Sequence, residues 1–185
     1  GLVNTIMISV SNRFIATAIG RGNLEEINKQ FNINLIIHIL IAIFTIIVLL
    51  PIGNLYINKF LNYDGDISNA RIVYLFSLVA SAISFVGVPY NGLLMAKERF
   101  IVFCTTDVIS SILKLLVSYS LIYYFSNKLL AYSIAISFFT AYPTAVFIIY
   151  CNRTFPEITK FTFVRDKDKY KEVFSFATWV SYGAV

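Results

Sequence analysis

Two ionisable residues, Asp107 and Lys114, interrupt the apolar stretch TTDVISSILKLLVSYSLIYYF at 105–125. Their types suit the handling of charge: a carboxylate can take a proton or a cation, and an ammonium group can hold an anion such as a phosphate. A spacing of seven is two helical turns less about 20°, so the pair shares one face of a helix. Ser111 and Ser118 continue that face at steps of four. A helical side chain leans toward its own N-terminus, so Lys114 points back toward Asp107 over a rise of about 10 Å, a gap that Ser111 or water would bridge. Charges at a bilayer centre cost roughly 2.5–3.5 kcal/mol each on insertion scales, so this face is expected to line something polar.

Other polar residues repeat the pattern. Ser77, Ser81, Ser84 and Asn91 recur at helical spacing in the preceding apolar run, and Pro89 in GVPYNG should bend that helix. Two readings of this seam stand side by side: a polar path, or small residues that let helices pack closely. Arg13, in SVSNRFIATAIGRG, either snorkels to the interface or faces a cavity, and Asn12, Ser9 and Asn4 favour the inward direction. His38 shares a face with Asn34 and Thr45, where a lone histidine is more often a packed residue than a proton relay.

The elements that must hold these residues follow from composition. The 185 residues are 58% hydrophobic and 14% charged with a mean hydropathy of +0.74, against roughly 45–50% and about 25% in soluble domains. An integral membrane protein is expected, all-α, as a polytopic transmembrane bundle. About 20 apolar residues cross a bilayer core, which marks spans at 34–57, 72–96, 100–125 and 129–150, with partial spans at 1–19 and 173–185. The turns at 97–99 and 126–128 are so short that successive helices must be antiparallel neighbours. Long uninterrupted apolar runs exclude the alternating segments of a membrane β-barrel. Opening at Gly1 and closing inside FSFATWVSYGAV, the chain reads as a piece of a longer protein.

Counting Lys and Arg on alternate sides gives orientation. Arg21, Lys29, Lys97, Arg99, Arg153, Lys160, Arg165, Lys167, Lys169 and Lys171 fall on one side, and only Lys59, Arg71 and Lys128 on the other. The richer side should be cytoplasmic. The chain then divides into lobe helices at 1–150, a cytoplasmic linker at 151–172 and the start of another helix from 173. Within the linker, RDKDKYKEV reads either as an interfacial helix on anionic lipid or as a solvated connection. The net charge of +5 is explained by topology, with no nucleic-acid module in view. Cys104 and Cys151 lie near cytoplasmic helix ends, so no disulfide is expected. One histidine, and no HExxH, GxSxG, phosphate-binding glycine loop or paired-cysteine metal motif, leaves nothing that assembles into a standard enzyme, metal site or cofactor site.

Three segments carry a resemblance. SVSNRFIATAIGRGNLEEINKQFN at 9–32, VPYNGLLMAKERF at 88–100, and YCNRTFPE at 150–157 followed by FSFATW at 174–179 resemble bacterial polysaccharide biosynthesis proteins of the Wzx type. These O-antigen flippases belong to the multidrug/oligosaccharidyl-lipid/polysaccharide exporter superfamily. The resemblance implies a MATE-like transporter of two pseudo-symmetric lobes in the bacterial inner membrane, this chain supplying most of the first lobe and the inter-lobe linker. It implies flipping of an undecaprenyl-pyrophosphate-linked oligosaccharide by alternating access for surface polysaccharide such as lipopolysaccharide. On that reading the substrate path is drawn from Arg13, Ser81, Asn91, Asp107, Ser111 and Lys114. Lys114 and Arg13 would meet the pyrophosphate, while Asp107 would either hold Lys114 or take part in coupling to an ion. Competing readings are a multidrug exporter of organic cations from the same superfamily, a non-transporting membrane scaffold, and a membrane glycosyltransferase.

Overall fold

The computed structural model describes residues 2–61, 66–124 and 128–183, and within them every regular element is helical. In chain order these are α1 (Leu2–Gly20), α2 (Leu24–Lys59), α3 (Ile67–Ala96), α4 (Phe100–Tyr124), α5 (Lys128–Thr154), the single turn α6 (Pro156–Thr159) and α7 (Lys167–Gly183). Four stretches are long and apolar enough to cross a membrane: Leu24–Lys59, Ile67–Ala96, Phe100–Leu121 and Leu130–Thr154. Large apolar side chains such as Phe44, Ile47, Ile101 and Leu115 stand exposed along them, as lipid-facing surfaces must. The chain is a helical membrane protein.

Helix α2 starts ten residues before the expected span. Asn23 caps it, its side-chain oxygen accepting from the amides of Glu25 (3.0 Å) and Glu26 (3.4 Å), and the two acids sit at the positive end of the helix dipole. Gly22, at φ +72°, makes the reversal from α1. The resulting 36 residues span about 54 Å, so the polar N-terminal turns stand clear of the hydrocarbon. Asp66 caps α3 in the same manner, and α3 remains one helix through Pro89. The turn at 97–99 closes with Glu98 in the left-handed region and with amides 98 and 99 returned to Met95 and Leu94. The turn expected at 126–128 lies largely outside the described residues.

Helix α3 is the hub, packed against α1, α2 and α5, while α4 leans mainly on α5 and α7 mainly on α1. Gly92 lets the α1 backbone lie close against α3: a Cβ there would lie 2.8 Å from that of Ser11 and 3.0 Å from the Asn12 amide nitrogen. One core joins Ile15, Phe31, Tyr90, Leu93, Phe147 and Ile158, with Phe31 and Tyr90 edge to face at 5.1 Å. A second joins Val10, Ile33 and Ile37 to Val164, Val173 and Ala177.

The linker differs most from expectation. Helix α5 runs on to Thr154, α6 follows, residues 160–166 lie outside any helix, and the basic stretch is absorbed into the start of α7, six residues ahead of the span expected from 173. Asp166 accounts for that early start, its carboxylate accepting the Lys169 amide as a helix cap does.

Candidate functional site

A cavity of about 920 Å³ opens between α1, the first turns of α2 and α7. Three cations line it, Arg13 from α1, Arg21 from the turn that follows it and Lys169 from α7. Arg13 and Thr17 stand four apart on one row of α1, Arg21 follows four further on in the turn beyond it, and the Thr17 hydroxyl is spent on the Arg13 carbonyl (2.8 Å). Lys169, Glu172, Phe176 and Trp179 recur at three and four along α7, presenting one face to that row. The two helices meet where Phe14 packs edge-on against Phe176 at 5.7 Å.

Charge on the walls is unevenly paired. Glu26 bridges two cations, accepting from Arg21 at 2.7 Å and lying 3.5 Å from the Lys169 ammonium. Arg13 forms no ion pair among the described residues, and its guanidinium lies 3.9 Å from the centre of the Phe176 ring. A stacked guanidinium keeps its in-plane N–H donors free for a planar or tetrahedral oxyanion. Trp179 and Tyr182 stand 76% and 85% exposed at the mouth, and the buried Gln30 forms part of the floor.

Of the residues singled out from sequence, Arg13 alone lines this cavity. Asp107, Ser111 and Lys114 do share a face of α4, as their spacing requires, but α4 contributes nothing to the cavity walls. Asp107 and Ser111 are exposed and Lys114 is half-buried. No ion pair joins Asp107 to Lys114 among the described residues. The hydroxyls of Ser111 and Ser118 return to the backbone carbonyls of Asp107 and Lys114, each at 2.8 Å, so the two serines are satisfied within their own helix and do not bridge the charges. The buried side of α4 carries Thr106 and Ser110 instead. Ser81 is exposed and bonds the Ser77 carbonyl, whereas Asn91 is buried with its side-chain oxygen unpartnered. The seam on α3 therefore runs from an open surface into the bundle.

His38 is fully buried, and its Nδ1 lies 2.7 Å from the Asn34 carbonyl, which only accepts; Nδ1 therefore carries the proton and Nε2 is left as an unpartnered acceptor. The Ser11 hydroxyl donates to Asn34 across the α1–α2 contact at 3.0 Å. Cys104 and Cys151 are both free thiols, one exposed and one buried. No cluster of three or more metal-ligating side chains occurs among the described residues.

No family model, curated protein or solved structure matches the chain.

Proposed function

We propose that the chain belongs to a transporter that flips an undecaprenyl-pyrophosphate-linked oligosaccharide across the bacterial inner membrane by alternating access, one lobe of a two-lobe assembly. The observation that carries this reading is the cavity in which Arg13, Arg21 and Lys169 converge beside Phe176, Trp179 and Tyr182. A pyrophosphate is a dense anion best met by Arg forks and ammonium groups, and sugar rings lie flat on aromatic faces. The volume of about 920 Å³ falls within the roughly 300–1,000 Å³ of small-molecule sites. The exposed apolar flanks of the spans leave a polyprenyl tail in lipid while its head group occupies the cavity. Transport in this scheme breaks no covalent bond, so no catalytic group is required.

The test is uptake of a radiolabelled sugar-lipid in proteoliposomes. Arg13→Ala combined with Arg21→Ala should abolish flipping while the protein still accumulates, and Arg13→Lys should retain part of it, since the charge survives without the planar fork. Undiminished flipping by the double alanine variant refutes the reading. Retained efflux of a fluorescent organic cation in its place would favour a multidrug exporter, and a chain that moves neither probe would be a scaffold.

A further inference from the structure

Residues 160–166, outside any helix, form a strap whose backbone is fastened to the polar end of α2. The Asn28 amide donates to the carbonyls of Ile158 (2.9 Å) and Lys160 (2.8 Å). Asn32, fully buried, donates to Lys160 (3.0 Å) and accepts the Thr162 amide (3.1 Å). Lys29 pairs with Asp166 at 2.8 Å, and the Tyr170 hydroxyl donates to the Val164 carbonyl at 3.0 Å. Val164 is the residue turned inward, 8% exposed in the second core. Phe161 and Phe163 stand in the open, 60% and 65% exposed, with Arg165 exposed beside them. Two aromatic rings are thus held outward on a segment that already has its anchor.

Depth decides what covers them. The continuous apolar run of α2 opens at Leu35, and Asn32 lies three residues upstream, about 5 Å along the axis. The strap hangs from Asn32, so Phe161 and Phe163 sit at the level where hydrocarbon gives way to head groups. Lys160, Arg165 and Lys167 flank the rings, all exposed, while Asp166 is occupied by Lys29, leaving Asp168 as the one acid not in an ion pair among described residues 160–168. Apolar rings beside basic residues at that depth match an anionic bilayer surface.

We infer that residues 160–167 form a lipid-docking ledge, with Phe161 and Phe163 dipping into the head-group boundary and Lys160, Arg165 and Lys167 holding anionic phosphates of the cytoplasmic leaflet. The inference is independent of the transported substrate. It is tested with the protein in nanodiscs of phosphatidylcholine alone, or of equal parts phosphatidylcholine and phosphatidylglycerol, in a Trp179→Phe background. Phe161→Trp and Phe163→Trp should each emit to the blue of a water-exposed indole, be quenched by shallow brominated lipids and resist acrylamide, all more strongly with phosphatidylglycerol. Neutralising each of the three basic residues to Gln should weaken the preference for the anionic lipid about fivefold. A water-like emission open to acrylamide in both nanodiscs overturns the inference. So does protection that persists in detergent and grows with protein concentration, the signature of a second copy or a protein partner on the ledge.

Discussion

Asn32 offers a direct measure of how firmly the strap is held. Asn32→Ala removes three bonds: those to the carbonyls of Asn28 and Lys160 and the one from the Thr162 amide. The Lys160 carbonyl keeps its bond from Asn28, and the Asn28 carbonyl keeps its helical partner. The Thr162 N–H alone is orphaned. Thr162 is exposed, so if water replaces the lost acceptor the cost is near 1 kcal/mol, and if the gap stays dry it approaches about 3 kcal/mol. Exchange of the Thr162 amide with deuterium should accordingly quicken between about 5-fold and 150-fold. Hydrogen exchange read by mass spectrometry on the peptide covering the strap is the assay. Unchanged exchange at Thr162 in Asn32→Ala would refute the account of how the strap is fastened, since no other described side chain accepts that amide.

Gly92→Ala should destabilise the bundle by about 1–3 kcal/mol, because its methyl group meets backbone and Cβ atoms of α1 that have no slack, while Gly20→Ala, with nothing within 4 Å, should be neutral or stabilising; reversible unfolding in mixed micelles compares the two. The Lys29 ammonium, and after it the Lys169 amide, holds the Asp166 carboxyl below its ordinary range. Its contribution to docking the strap is therefore present above the ordinary carboxylate pKa and lost as pH falls through the depressed one, below about pH 4. Nitroxide mobility at position 163 should rise there, and Asp166→Asn should remove that rise. Impermeant maleimide added outside intact cells should label cysteines placed at Asp66 or Asn69 and miss those at Lys97 or Lys167, as the distribution of Lys and Arg requires; the companion positions Asn62 and Asn127 lie outside the described residues. If Asp107 and Lys114 act in transport, replacing both with apolar residues should leave protein abundance normal and export absent, whereas a packing role predicts that single replacements lower abundance and the double one restores it.

The spans were legible in the sequence because hydropathy responds to runs of apolar side chains, and α3 and α4 begin and end close to where those runs do. The start of α2 is not legible in hydropathy, although its signal is present: Asn23 followed by Glu25 and Glu26 is a capping pattern that lies outside the apolar run. Arg13 was conspicuous because it interrupts an apolar stretch. Arg21, Lys169 and Trp179 were not, since they lie among polar residues at helix ends, and only the steps of four along α1 into the turn beyond it and of three and four along α7 hint that each row faces one way. Periodicity placed Asp107 and Lys114 on a common face but says nothing about which way that face turns. The strap was least legible of all. Asn28 and Asn32 bond to residues some 130 positions away, and no local pattern encodes a partner at that distance.

The length of α2 has a mechanical consequence. Pro51 removes one rung of the helix near its far end, and the strap is attached about 30 Å from it. A tilt of about 5° about that point would carry Asn28 and Asn32 sideways by about 3 Å, as much as the length of a hydrogen bond. Because the strap is tied at both asparagines and by Lys29, it would travel with the helix instead of shearing away. Helix α2 and the strap would thus move as one body, and α7, which begins where the strap ends, would be carried with them at the wall of the cavity.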